Sequence, residues 1–188
     1  KAERTGQPAA ATMLSSVSSK VFLFILFFQW VVSALLVIRG YTYIRIASED
    51  KNAFAWIKEN TSLDDRFVII TDQFWAQDPV SEWFPALTGR VSMATVQGTE
   101  WLPDNRYTQA VLEARSLQNC VDQTPACVET WAQENARDFD YLYIRKLKIQ
   151  DSPHQLVEYD SALAALLRSD PGYTLVYEDG GAAIFLKK

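Results

Sequence analysis

The longest apolar run lies near the start of the chain. Val21 to Ile38 reads VFLFILFFQWVVSALLVI, with no charge between Lys20 and Arg39. At the helical rise, roughly 18 residues reach about 27 Å, close to the hydrocarbon thickness of a bilayer. Fourteen of these residues are Leu, Ile, Val or Phe. On the insertion scale they contribute roughly −4 to −8 kcal/mol, which the polar Gln29 opposes without cancelling. The run has no polar face, as a core helix would, and it exceeds the roughly 7–15 residues of a signal-peptide core. The pattern therefore predicts a membrane-spanning helix over residues 20–40, with the lipid bilayer as its partner. Gln29 and Trp30 fall in mid-span, where further transmembrane helices of the same protein would satisfy their polar groups. Tyr41 and Tyr43 fall where an interfacial aromatic belt would lie.

Before this run, residues 1–19 are rich in Ala, Ser and Thr with no apolar period, which reads as a flexible tail or loop. The chain opens on Lys1 rather than Met, as a piece of a longer protein or a processed chain would.

After the span, apolar positions recur in alternating helical and strand-like blocks over residues 48–188. Ser48 is placed to cap a helix with Glu49 and Asp50 in its first turn, an apolar stripe of Ala53, Trp56 and Ile57, and an end at Asn60. Phe67 to Ile70 is a short apolar, β-branched run bounded by polar residues, the mark of a buried strand. Asp78 followed by Pro79 starts a helix that reaches about Leu87 and stops at Gly89. Arg90 to Val96 reads as a second strand, and Asn105 to Leu117 and Val128 to Ala136 as helices. Asp140 to Arg145 is a third strand. Tyr159, Leu163, Leu166 and Leu167 mark another amphipathic helix, ended by Asp170-Pro171-Gly172. Tyr173 to Tyr177 and Ala182 to Leu186 flank Asp179-Gly180-Gly181, a hairpin signal. The expected fold is α/β: a mainly parallel sheet flanked by helices, with a C-terminal antiparallel hairpin, preceded by one transmembrane helix.

Charge sharpens this division. Through Ala47 the chain is net +4, and from Ser48 it is net −9, within a total of −5. An acidic domain repels phosphate backbones, so no nucleic-acid partner is expected. Basic residues beside the apolar run suit anionic headgroups. Lys20 on one side is matched by Arg39 and Arg45 on the other, so charge does not orient the span.

Cys120 and Cys127 are the only cysteines and flank Val-Asp-Gln-Thr-Pro-Ala between two predicted helices. A bridge there would stabilise by roughly 2–3 kcal/mol and would place the domain outside the cytoplasm. Free thiols in a cytosolic loop are the alternative. Two thiols at this spacing lack further ligands, so no metal is expected. Asn60-Thr61-Ser62 matches a glycosylation acceptor, a pattern common by chance.

Catalytic motifs are missing: no phosphate-cradling glycine loop, no dinucleotide fingerprint, no His-Glu-x-x-His. His154, the single histidine, follows Pro153 in a polar loop and reads as a surface residue. No catalytic residue, cofactor or metal is expected. The densest chemistry lies between Asp72 and Trp101. Asp72 and Trp75 follow the first strand directly, at the carboxyl edge where α/β sheets present their sites. With Asp78, Glu82, Trp83, Glu100 and Trp101 they offer aromatic faces beside carboxylates, which suits a sugar's C–H face and hydroxyls. Equally, these tryptophans could pack on the sheet or on a membrane-proximal surface. Asp72, Trp75, Glu82, Trp83, Glu100 and Trp101 are the candidate substrate-binding residues.

Three stretches carry a resemblance: the end of the apolar span running into AFAWIKENTSLDDRFVIITD, the segment DPVSEWFPALTGR with the later QGTEWL, and the ending YTLVYEDGGAAIFLKK. Together they resemble the carboxyl-terminal part of bacterial polytopic glycosyltransferases of the GT-C type, the group containing protein mannosyltransferases and lipid-A aminoarabinose transferases. The resemblance implies the last transmembrane helix and an extracytoplasmic accessory domain in the cell membrane. That domain would cover the active site or hold the acceptor, with a lipid-linked sugar or glycan acceptor as partner. The family's catalytic acidic residue, in an early loop between spans, has no counterpart here. The alternative is a non-enzymatic, membrane-anchored envelope protein whose α/β domain binds a partner. A self-contained hydrolase would need His154 or a carboxylate pair in a pocket.

Overall fold

The computed structural model describes the backbone of residues 9–41, 46–152 and 155–188, and side chains within 18–38, 46–146 and 160–188. The chain forms two compact units, Lys1–Arg45 and Ile46–Lys188.

The described residues of the first unit form one helix, α1 (Ala9–Tyr41). Within it Ser18–Ile38 is long and apolar enough to cross a membrane. The helix begins at Ala9, inside the stretch whose composition suggested a flexible tail or loop. Its apolar side chains point outward, with Phe24 68% and Trp30 69% exposed. In water such a surface would cost about 25 cal/mol per Å², so it calls for lipid or protein around it. The belt expected from Tyr41 and Tyr43 lies outside the described side chains.

The second unit runs α2 (Ser48–Asn60), β1 (Arg66–Ile70), α3 (Pro79–Thr88), β2 (Val91–Ser92), α4 (Arg106–Gln118), α5 (Pro125–Glu134), β3 (Tyr141–Arg145), β4 (Leu147–Ser152), β5 (Gln155–Tyr159), α6 (Ala162–Leu167), β6 (Tyr173–Glu178) and β7 (Ala182–Lys187). Five strands form one sheet in the order β2-β1-β3-β7-β6, while β4 and β5 form a separate antiparallel pair. β1 is parallel to β2 and β3, but β7 is antiparallel to both β3 and β6. The sheet is thus mixed, not mainly parallel. The C-terminal hairpin is where expected, but it joins the sheet through its second strand, which reverses direction beside β3.

Alternation along the strands divides the core in two. Phe67, Ile69, Tyr143 and Ile184 face α2 and α3, where they pack on Phe54, Ile57, Val80 and Phe84. Val68, Ile70, Leu142, Ile144 and Phe185 face α4, α5 and α6, against Leu117, Val128, Trp131 and Leu163. Phe67 through Ile70 is buried on both faces, as its continuous apolar run predicts. Each such side chain contributes about 1.5–3 kcal/mol.

Several local expectations are corrected. Ala47, not Ser48, is the N-cap of α2; Ser48 is helical and its hydroxyl donates to Glu49. Trp56 is only partly buried and stacks on Tyr177, while Phe54 takes the core position. The second strand is two residues long rather than Arg90–Val96. The chain bends at Met93 and Ala94, just past the last strand bond, and ahead of the strand the Arg90 guanidinium is buried, donating to the carbonyls of Lys58, Thr61 and Thr88. The α5 helix starts at Pro125, earlier than Val128, since proline presets the first helical position. Tyr159 belongs to β5, and the helix after it is Ala162–Leu167, capped by Ser161. His154 lies outside the described residues. The Asn60-Thr61 sequon is engaged at the end of α2: Asn60 Nδ2 donates to the Trp56 carbonyl and Thr61 Oγ1 accepts from Arg90 Nε.

The turn of the C-terminal hairpin packs against the start of α2. The Asp179 carboxylate accepts from the amides of Gly181 and Ala182 (2.8 and 2.9 Å). A Cβ on Gly181 would stand 2.4 Å from Glu49 Cβ and 3.2 Å from the Glu49 carbonyl carbon. Just inside that contact, the buried Asp50 carboxylate accepts from Tyr143 Oη (2.9 Å) and Arg145 Nη2 (3.0 Å). Burial raises the Asp50 carboxyl above its ordinary value, against the pull of Arg145. Gly181→Val is expected to destabilise the domain by about 1–3 kcal/mol through overpacking, read as an earlier midpoint in denaturant titration followed by tryptophan fluorescence.

Candidate functional site

The path of the chain opens a cleft at one end of the sheet. The connection leaving β1 turns toward the face covered by α3, and the one leaving β2 turns toward the opposite face, covered by α4 and α5. Neighbouring strands whose connections part in this way leave a crevice beyond their carboxyl ends. Here it measures about 350 Å³. Asp72, Gln73, Phe74, Trp75, Asp78 and Ser81 line it from the β1 side, and Ala94, Val96 and Gln97 from the β2 side. Ala114, Arg115, Gln118, Asn119, Val121 and Asp122 close it from the end of α4 and the turn that follows.

Two polar side chains hold the lip of β1 open. The Gln118 Oε1 accepts from the amides of Thr71 (2.8 Å) and Asp72 (3.0 Å), and its Nε2 donates to the Ile69 carbonyl (2.9 Å). The amide thereby continues the hydrogen bonding of β1 past the end of the ladder. Asp78 is 2% exposed. Its carboxylate accepts from the Thr71 and Ser81 hydroxyls and from the amides of Val80 and Ser81. These bonds cap α3 as the sequence predicts and use up the carboxylate's acceptor capacity. Between the two, Asp72 adopts φ 58°, a left-handed conformation rare outside glycine, asparagine and aspartate. Its side chain is exposed toward the cleft.

Aromatic residues form one wall. Trp75 sits in a short 3-10 turn (Trp75–Gln77), edge-on to Tyr107 at 5.8 Å between ring centres and 5.6 Å from Phe74. Gln97 Nε2 donates to the Trp75 carbonyl (3.0 Å), tying the β2 side to this turn. The floor is anchored by the disulfide of Cys120 and Cys127, whose Cα atoms lie 5.6 Å apart. Cys120 is fully buried in the core on the α4 face.

The sequence candidates are dispersed. Asp72 and Trp75 line the cleft. Glu82 and Trp83 lie on the exposed side of α3, Trp83 47% exposed, and do not line it. Glu100 accepts from the Gly98 amide (2.7 Å) across a turn, and Trp101 is 90% exposed. Sequence reasoning missed Arg115, Gln118, Asn119 and Asp122. Their spacing of three, four and seven residues is a polar stripe at helical period, and that signal was available.

Asp78 is committed to its four donors, while Asp72 and Asp122 both line the cleft. Among the described residues, no group of three or more His, Cys, Asp or Glu is placed to hold a metal ion. The cleft is a mainly apolar crevice with an aromatic wall, carrying planar amide, carboxylate and guanidinium groups. Gln118→Leu is expected to cost about 2–3 kcal/mol by stranding two amides and a carbonyl. It should also shift Trp75 emission as the lip relaxes, readable by thermal unfolding and fluorescence. Compared with known protein families, curated proteins and solved structures, this chain matches none.

Proposed function

We propose that this chain is the extracytoplasmic accessory portion of a membrane glycosyltransferase that uses a lipid-linked sugar donor, and that its domain holds the saccharide of the acceptor in the cleft beyond β1. The observation that carries this reading is the lining of that cleft. Trp75 and Phe74 stand beside Asp72, Asn119 and Arg115, the mixture of ring faces and planar hydrogen-bonding groups that a sugar requires. A volume of about 350 Å³ holds one or two sugar rings. The apolar helix Ser18–Ile38 supports a membrane location. Gln29 is exposed along it without a partner among the described residues, which favours neighbouring spans. The Cys120–Cys127 bridge favours an oxidising side of the membrane.

A second reading, a non-enzymatic anchored protein that binds an envelope partner, is favoured by Trp101. At 90% exposure this indole has nothing to pack on in the domain, which is how binding anchors present themselves. The two readings part under titration of the full chain in a polyoxyethylene detergent, which contributes neither sugar nor phosphate. Saturable monosaccharide or oligosaccharide binding, lost in Trp75→Ala and kept in Trp101→Ala, supports the sugar reading. No saccharide binding together with partner capture lost in Trp101→Ala supports the other. For the location, a membrane-impermeant thiol reagent on intact cells should label the cysteines only after reduction. Labelling only after the membrane is opened would place the domain inside.

A further inference from the structure

A second cleft, about 480 Å³, shares the Ala94 wall with the first. Ser92 and Thr95 line it at the end of β2, Arg106, Gln109 and Glu113 along the first half of α4, and Arg137 beyond α5. Its charges run against its surroundings. From Ser48 onward the chain is net −9, yet this cleft gathers two guanidinium groups against one carboxylate.

That carboxylate is already satisfied. Glu113 is 7% exposed; its Oε1 accepts from Gln109 Nε2 (2.8 Å) and its Oε2 from Arg137 Nη2 (3.2 Å). Glu113 and Arg137 therefore offset each other, and the charge of Arg106 is left over. The Arg106 side chain makes no hydrogen bond or ion pair among the described residues. Arg137 Nε is buried without an acceptor. Opposite, Thr95 Oγ1 donates its single proton to the Ser81 carbonyl (3.1 Å), so the Ser92 hydroxyl donates to Thr95 Oγ1 (2.7 Å) and both protons stay within the wall. The cleft thus presents donors and surplus positive charge, with its one acid neutralised.

We infer that this second cleft is an oxyanion site, which takes the phosphate or carboxylate group of a small molecule, with Arg106 as the main donor and the Arg137 guanidinium beside it. A guanidinium offers a planar fork that matches both groups, and charge-assisted hydrogen bonds are about twice as strong as neutral ones. The acidic remainder of the domain repels anions elsewhere on its surface, so binding concentrates here. The site is independent of whether the first cleft binds a sugar.

The test titrates the full chain, in the same detergent, with inorganic phosphate and with glucuronate, using glucose as the neutral control. Saturable binding of at least one anion is expected, weakening with salt and falling at least tenfold in Arg106→Gln. Lys51→Gln, which removes the same charge from exposed α2, should leave it unchanged. Arg106→Lys keeps the charge but loses the fork, so a smaller loss is expected there, and it stands in if Arg106→Gln unfolds. Whichever anion binds more tightly identifies the group. Absence of saturable anion binding into the millimolar range would overturn the inference. So would equal behaviour of Arg106→Gln and Lys51→Gln.

Discussion

A strand buried on both faces cannot end without a partner for its last backbone groups, and in this domain that partner is one side chain. The β1 ladder runs out near Ile70, and the amide of Gln118 takes over, accepting from Thr71 and Asp72 and returning a bond to Ile69. Unsatisfied, the part-buried Thr71 amide and Ile69 carbonyl would each cost about 1–1.5 kcal/mol, while water can reach the exposed Asp72 amide. The bond set also fixes the geometry of the cleft, because Gln118 stands at the end of α4 and Asp72 at the start of the turn that carries Trp75. One interaction therefore joins core integrity to the shape of the cleft.

The rest of the domain is arranged around that junction. Asp78 seals the other side of the same lip and starts α3, so the chain departs to one face of the sheet. The two-residue β2 then releases the chain toward the opposite face, and the parting of these connections is what leaves the cleft open. Just before β2 the buried Arg90 guanidinium ties the ends of α2 and α3 together, and just after it the chain bends at Met93 and Ala94. Clamped beneath, the disulfide holds the turn after α4 against the core. The two adjoining clefts share Ala94 and differ in chemistry: an aromatic wall in one, surplus guanidinium charge in the other.

At the far edge of the sheet a steric limit replaces a hydrogen-bonding one. The C-terminal hairpin enters antiparallel beside β3, and its turn approaches α2 so closely that only glycine fits at position 181. Behind it the carboxylate of Asp50 joins α2 to β3 through Tyr143 and Arg145. Burial, and then the neighbouring Asp50, push the Tyr143 hydroxyl well above the ordinary tyrosine value, so it stays a neutral donor. This edge accounts for the mixed character of the sheet.

Much of this was legible in the residues themselves because it is local. An apolar run without charge dictates a helix that water cannot surround, and Phe67 to Ile70 dictates a strand buried on both faces. Asp78-Pro79 sets a helix start, and Asp179-Gly180-Gly181 a hairpin. Asp72 and Trp75 were readable as residues of the cleft beyond β1 because they follow a strand directly. The remainder depended on contacts distant in sequence. Gln118 meets Ile69 across 49 residues, the Arg90 side chain reaches a carbonyl on α2, and β7 rather than β6 lies next to β3. Periodicity records which face of an element is apolar. It carries no information about which polar side chain will reach an orphaned backbone group elsewhere, so the partners of the buried strand, and with them the shape of the cleft, were decided only when the chain packed.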